Sequence, residues 1–147
     1  MKVSGTSMAI LVCAIMLISG VSAQDVDTNN GYTVTPAGDL FLPAVMSPMT
    51  AGTITQGETD WYTVQVSPGT ASLTTDLNWG DATDSLSLSA IAPDGTVGPY
   101  YDAADGATDG RIFLTISRTG GIAPGIWKFK VYGVSVQGVQ SYNFVTY

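Results

Sequence analysis

The chain has 147 residues, enough for one domain, with five basic residues against twelve acidic residues, no histidine and one cysteine. Without histidine it has no Ser-His or Cys-His catalytic pair and few ligands for zinc. It also has no cluster of lysine and arginine, through which proteins bind nucleic acids and anionic membranes. The composition therefore excludes these partners and the common forms of nucleophilic catalysis.

Residues 1–23 predict a secretory signal peptide. Met1-Lys2 provides the positive start, Met8 to Ile18 is an unbroken apolar run, and Val21-Ser22-Ala23 supplies small residues for cleavage. An uncleaved membrane anchor is the alternative, but the apolar run is short for a hydrocarbon core of about 30 Å. We therefore expect a secreted protein, extracellular or at the cell surface, with no membrane contact after cleavage.

Cleavage after Ala23 removes Lys2 and Cys13, so the mature chain keeps four basic and twelve acidic residues, a net charge of −8. A domain of this size buries about two-thirds of its unfolded surface and folds without disulfides. The simpler interpretation of the charge is solubility, and the alternative is attraction of cations such as calcium.

Alternation of apolar and polar residues predicts β-strands along the mature chain. Six strands follow from apolar residues that share a face: Tyr62, Val64 and Val66; Leu73, Leu77 and Trp79; Leu86, Leu88 and Ala90; Ile112, Leu114 and Ile116; Trp127, Phe129 and Val131; Tyr142 and Phe144. A seventh strand is predicted around Leu40 to Met46. Gly and Pro turns separate the strands, so we predict an all-β fold, an antiparallel, jelly-roll-like β-sandwich of about seven to eight strands.

The predicted organisation is a signal peptide over residues 1–23, a lead-in with a first strand over residues 24–52, and the sandwich over residues 53–147. Within the lead-in, Gln24 to Asp39 is polar and predicts a loose segment or a partly added strand. Val97 to Gly110 predicts a long loop, a kind of segment that is often functional.

Five short motifs in order resemble the pre-peptidase C-terminal domain, a β-sandwich module of secreted bacterial and archaeal proteins. They are Gly57 to Tyr62, Pro68 to Leu73, Asp84 to Leu88 continuing to Ala92 to Gly95, Pro124 to Val131, and Ser141 to Phe144. The resemblance covers residues 53–147 and implies a non-catalytic accessory module. That domain usually accompanies a peptidase, which this chain does not contain.

Five aspartates are candidate calcium ligands, because calcium takes carboxylate and carbonyl oxygens from loops: Asp81, Asp84, Asp102, Asp105 and Asp109. Their spacing is not that of an EF-hand, and aspartate in glycine-rich loops usually serves turn formation. No other cofactor is predicted. No catalytic residue is predicted either, since Glu58, the only glutamate, is predicted to lie in a surface turn.

Four aromatic residues are candidates for binding: Trp61 and Phe113, which alternation directs away from the core face, and Tyr100 and Tyr101 in the predicted loop. Outward aromatic rings stack on sugars or anchor a partner protein, unless a neighbouring loop covers them.

Two functions of different class follow. The first is a binding module for a secreted or surface protein, or for a glycan. The second is self-association into a structural fibre, sheath or lattice of the cell envelope, by addition of the polar N-terminal segment to a neighbour's sheet edge. An enzyme or inhibitor subunit is the weakest alternative.

Overall fold

A computed structural model of the chain describes residues 27–38 and 49–147. These residues form ten strands and one 3₁₀ helix, Asp102–Asp105. The strands are β1 (Asp27–Asn29), β2 (Tyr32–Pro36), β3 (Thr50–Thr55), β4 (Thr59–Val66), β5 (Ser72–Asn78), β6 (Ser85–Ala92), β7 (Gly95–Tyr101), β8 (Arg111–Ser117), β9 (Gly125–Ser135) and β10 (Val139–Thr146). The predicted signal peptide and the predicted strand around Leu40 to Met46 lie outside the described residues. Within the described ranges, no helix is long and apolar enough to cross a bilayer.

The strands form two antiparallel sheets that pack face to face. One has six strands in the order β1-β2-β8-β5-β10-β3, and the other has four in the order β4-β9-β6-β7. Without β1 and β2, the remaining eight strands have the order of a jelly roll. The predicted all-β, jelly-roll-like sandwich is thus confirmed, with a hairpin added at one edge.

The alternation that predicted six strands also places their apolar residues in the core. The six strands are confirmed as β4, β5, β6, β8, β9 and β10. In β9, the side chains of Trp127, Phe129 and Val131 have no exposed surface, whereas Lys128 between them is exposed. Burial of each large apolar side chain stabilises the fold by about 1.5–3 kcal/mol, so the inner faces hold the sheets together.

Part of the predicted lead-in belongs to the sandwich. Strands β1 and β2 form a hairpin through Asn30-Gly31, both with positive φ, and β2 pairs with β8 from Thr33 opposite Ser117 onward. Tyr32 is fully buried, and Asn30 Nδ2 donates to Thr96 O at 2.6 Å in the other sheet. The described part of this segment is therefore not loose. Strand β3, beginning at Thr50, spans the predicted boundary at residue 53.

The prediction of one long loop over Val97 to Gly110 was wrong in its first half. Residues up to Tyr101 continue β7, and the 3₁₀ helix follows directly. Strand β7 contains Pro99 because it is an edge strand, where proline is tolerated since one side of the strand needs no ladder hydrogen bonds.

A row of six aromatic rings crosses the core between the sheets. The centroid distances from each ring to the next are 5.3, 6.5, 5.3, 4.9 and 6.4 Å. In order, the rings are Tyr32, Trp127, Phe129, Phe144, Tyr62 and Tyr142. Each end carries a hydroxyl that reaches a carboxylate: Tyr32 donates to Asp94 and Tyr142 to Asp60.

The Tyr32 end of the row is fixed by a charged clamp. Tyr32 Oη donates to Asp94 Oδ1 at 2.6 Å, Arg118 Nη1 donates to Asp94 Oδ2 at 2.5 Å, and the Arg118 guanidinium lies 4.7 Å from the centre of the Tyr32 ring. The hydroxyl of Tyr32, followed by Arg118, holds the pKa of Asp94 below its ordinary value of 3.8. The clamp therefore favours the ionised carboxylate and holds the β1–β2 hairpin against the β6–β7 turn.

The first prediction is that the stabilisation from Asp94 depends on pH. Because its pKa is lower in the folded state, the contribution is complete above 3.8 and is lost as pH falls through the folded pKa. The free energy of unfolding of the protein should exceed that of Asp94→Asn at neutral pH, and this difference should shrink in acid. Urea denaturation across the acid range measures it. Asp109→Asn, which changes an exposed carboxylate outside the clamp, is the control, and a pH-independent difference for Asp94→Asn would contradict the prediction.

Candidate binding surface

The carboxylate of Asp102 binds the backbone of the loop that follows it. Asp102 is buried, and its Oδ1 accepts hydrogen bonds from the backbone N–H groups of Asp109, Gly110 and Arg111 at 3.2, 3.1 and 3.1 Å. A carboxylate surrounded by N–H donors needs no cation to offset its charge. This aspartate, a candidate calcium ligand, therefore closes the loop between the 3₁₀ helix and β8.

Three of the other candidate calcium ligands also bind backbone groups. Asp105 accepts from Phe113 N at 2.9 Å and Ala107 N at 3.2 Å, and burial raises its pKa. Asp81 accepts from the hydroxyl and N–H of Thr83, which lower its pKa. Asp84 accepts from Gln137 N at 3.0 Å.

The five aspartates do not form one site. In the ranges that the structure describes, no three acidic side chains are close enough together to hold a metal ion. Asp109 is exposed, and its side chain contributes no hydrogen bond to the loop that Asp102 closes. The calcium site therefore stays a prediction from sequence, without a gathered set of ligands.

The second prediction concerns stability. Asp102→Ala would leave three backbone N–H groups without their acceptor, and we expect a loss of about 2–4 kcal/mol in the free energy of unfolding. Asp109→Ala, seven residues further along the same loop, should change it by about 0.5 kcal/mol or less. Denaturant unfolding of the two variants compares them, and equal losses would show that Asp102 has no special role.

The third prediction concerns calcium. Because four of the candidate carboxylates already accept protein hydrogen bonds, we expect the same melting temperature in excess calcium and in chelator. Thermal unfolding followed by circular dichroism measures it. A rise in melting temperature with calcium that disappears in Asp105→Asn would establish the site predicted from sequence.

The four aromatic residues predicted to bind a ligand differ in exposure: two are exposed and two are buried or partly buried. Trp61 on β4 is 56% exposed and Tyr101 on β7 is 49% exposed, both on the outer side of the four-stranded sheet. Tyr100 lies on the same strand as Tyr101, not in a loop, and packs partly buried against the core. Phe113 is on the outer side of the other sheet but is buried, with the Arg111 guanidinium 4.3 Å from its ring centre. Tyr100 and Phe113 are therefore unsuited to stacking on a ligand.

Sequence reasoning missed a third aromatic residue on the outer side of the four-stranded sheet. Tyr132 lies opposite Thr59 of β4 on one side and Ser87 of β6 on the other. The signal was available, because the alternation that directs Lys128 and Lys130 away from the core continues to Tyr132. We call this outer side the aromatic face, comprising Trp61, Tyr101, Ile126, Lys128, Lys130 and Tyr132.

Strand register fixes the spacing of the three rings. Trp61 lies opposite Lys130, so Trp61 and Tyr132 are diagonal neighbours on adjacent strands, with Cα atoms about 7–8 Å apart. Tyr132 and Tyr101 both lie opposite Ser87, so they are two strand spacings apart, about 10 Å. Ser87 is 5% exposed although it is on the outer side, consistent with cover from the two flanking rings.

A groove adjoins Trp61 where the aromatic face meets the sheet edge. Its volume is about 480 Å³, and it runs between β4 and the end of β10. Trp61, Thr63 and Gln65 line one side, and Val145 and Thr146 line the other. The groove provides polar and apolar contacts beside the exposed indole ring.

A second depression of about 570 Å³ lies on the six-stranded sheet, beside Asn78, Ser141 and Asn143. The aromatic residues that line it, Trp79 and Tyr142, are 6% and 3% exposed. It offers amide and hydroxyl groups but no exposed ring, which makes the aromatic face the better candidate for ligand binding.

The charge of the aromatic face is opposite to that of the chain as a whole. Lys128 and Lys130 are its only charged side chains, and Asp60 is the only acid in the four strands of this sheet. Asp60 is turned away from the face and accepts a hydrogen bond from Tyr142. Burial, followed by the hydrogen bond to Asp60, raises the pKa of Tyr142.

Neither lysine forms an ion pair within the described ranges, whereas both arginines do. Arg111 Nη2 lies 2.8 Å from Asp76 Oδ2, and Arg118 pairs with Asp94. The ammonium of Lys130 lies 5.2 Å from the centre of the Tyr132 ring, a cation–π contact on the aromatic face itself. In the part of the chain that the structure describes, the basic side chains without a carboxylate partner are therefore Lys128 and Lys130, and both are on the aromatic face.

The sequence matches no protein-family model, and no curated protein matches it significantly. The resemblance to the pre-peptidase C-terminal domain stays a prediction from five short motifs.

Proposed function

We propose that the chain is a secreted, non-catalytic binding module that holds a surface glycan on its aromatic face. The observation that supports this most directly is that Trp61, Tyr132 and Tyr101 occupy one side of one sheet at spacings fixed by strand register. The proposal places the protein outside the cell, in agreement with the predicted signal peptide.

The chemistry of the face suits sugars better than a folded partner. A sugar ring presents C–H groups on its two faces, which pack on the flat electron-rich surface of an aromatic ring. Exposed rings that stand on strands, such as Trp61 and Tyr101, lose little conformational freedom when a ligand stacks on them. Ser89, opposite Lys130 on the neighbouring strand and partly exposed, adds a hydroxyl group to the same surface without blocking access.

The proposal assigns no reaction to the chain. Buried Asp102, which could serve as an acid or a base, instead accepts hydrogen bonds from the backbone of the loop that follows it. Binding alone would be the activity, and a resemblance to an accessory module of secreted proteins supports the same interpretation.

The fourth prediction tests the face. We expect the protein to bind an envelope fraction of its own cells, and Trp61→Ala combined with Tyr132→Ala to weaken binding about tenfold or more, because both stacking surfaces are lost. Val139→Ala, an exposed apolar residue outside the face, is the control and should bind as the unchanged protein does. Unchanged binding by the double variant, with an unchanged melting temperature, would contradict the proposal.

Chemical treatment of the envelope fraction distinguishes a glycan from a protein partner. Periodate cleaves vicinal diols of sugars, and protease removes exposed proteins. A glycan ligand predicts binding that survives protease and is lost after periodate. The opposite result would identify a protein partner and overturn the glycan proposal.

Self-assembly is the second candidate function, and the free edge of β4 favours it. In the part of the chain that the structure describes, β4 pairs only with β9, so eight residues have one unpaired edge beside the 480 Å³ groove. Such an edge can accept a strand from another molecule. Light scattering of the purified protein would reveal large species, and Gln65→Lys on this edge should dissociate them. A concentration-independent monomer would exclude assembly.

A further inference from the structure

We infer that the ligand of the aromatic face is an acidic polysaccharide, whose anionic groups pair with Lys128 and Lys130 while its sugar rings stack on Trp61 and Tyr132. This inference rests on the proposed function and adds the chemical class of the glycan. It follows from the separation of charge between this face and the rest of the molecule.

The separation of positive charge on this face from negative charge elsewhere is large for so acidic a chain. The sequence has five basic and twelve acidic residues, and one of the basic residues, Lys2, lies in the predicted signal peptide. Arg111 and Arg118 are neutralised by Asp76 and Asp94. Lys128 and Lys130 remain, and both stand on the one sheet surface whose outward side chains include no acid.

Lys130 lies among the rings, and Lys128 lies beside them. They are two residues apart on β9, so their Cα atoms are about 7 Å apart on the same side of the sheet. Lys130 lies opposite Trp61 on one side and opposite Ser89 on the other, and Lys128 lies opposite Thr63 and Ile91. A polymer stacked on Trp61 would therefore place its substituents within reach of an ammonium group.

The charge of the remaining surface would orient such a polymer. Excess acid elsewhere repels an anion from other approaches, and a local positive patch attracts it within about 10 Å at moderate salt. A neutral glycan would gain only hydrogen bonds from the two lysines, whereas an anionic glycan would gain charge attraction as well. The combination of stacking rings and ammonium groups that no carboxylate neutralises therefore favours a sugar polymer that carries negative charge.

The fifth prediction uses two polymers with the same backbone and different charge: polygalacturonate and its fully methyl-esterified form. We expect the protein to bind polygalacturonate about three- to tenfold more tightly at low salt, because two exposed ion pairs contribute that much. The preference should disappear in Lys128→Gln combined with Lys130→Gln, and in high salt. Isothermal titration calorimetry measures the four affinities.

A control with the same change in net charge is Asn143→Asp combined with Gln137→Glu. Both residues are exposed and lie off the four-stranded sheet, Asn143 on the outer side of β10 and Gln137 in the turn before it. This variant should retain the preference for the charged polymer. If it loses the preference as fully as the lysine variant does, net charge rather than the position of the lysines is responsible, and the inference is overturned.

Other outcomes separate this inference from the proposed function. Equal binding of both polymers, lost in Trp61→Ala, would overturn the acidic ligand and leave glycan binding intact. If the protein bound neither polymer but bound the envelope fraction in a periodate-sensitive way, the acidic ligand would again be overturned and glycan binding would again be left intact. Equally tight binding of a single-stranded DNA oligonucleotide would show that charge alone determines binding, and would also overturn the inference.

Discussion

The contact between the two sheets depends on the row of aromatic rings that crosses the core. The six rings come from both sheets. Most of the contacts between neighbouring rings therefore join one sheet to the other, and the contact between Trp127 and Phe129 lies within one inner face. The terminal hydroxyls would be poorly solvated in an apolar core, and carboxylates at both edges accept their hydrogen bonds.

The acidic side chains have two roles in this fold. Asp94 and Asp60 receive the ends of the aromatic row, while Asp102 and Asp105 order the connection between β7 and β8 through backbone N–H groups. Aspartate suits the second role because its short side chain reaches the backbone a few residues away. The aspartates that predicted a calcium site are, for the most part, parts of the loop architecture.

Much of the sandwich could be predicted, because residues buried on one side of a sheet alternate strictly in the sequence. The hairpin at Asn30-Gly31 was missed although this dipeptide is a strong turn signal, since β1 has only three residues and β2 only five. Trp61 was placed correctly on an outer surface, and the same reasoning would have found Tyr132. Burial of Phe113 could not be predicted, because the Arg111 over its ring is held by an ion pair with Asp76 on the neighbouring strand, and alternation does not show which strands pair.

Strand β9 carries two independent sets of residues. Trp127, Phe129 and Val131 point inward and secure the core, whereas the outward residues of the same strand form most of the aromatic face: Ile126, Lys128, Lys130 and Tyr132. The outward residues can therefore be substituted one at a time, which changes the chemistry of this surface on an unchanged scaffold. Insertion of a single residue into β9 would have the opposite result, because it would interchange the two sets, so that the core and the aromatic face would be lost together.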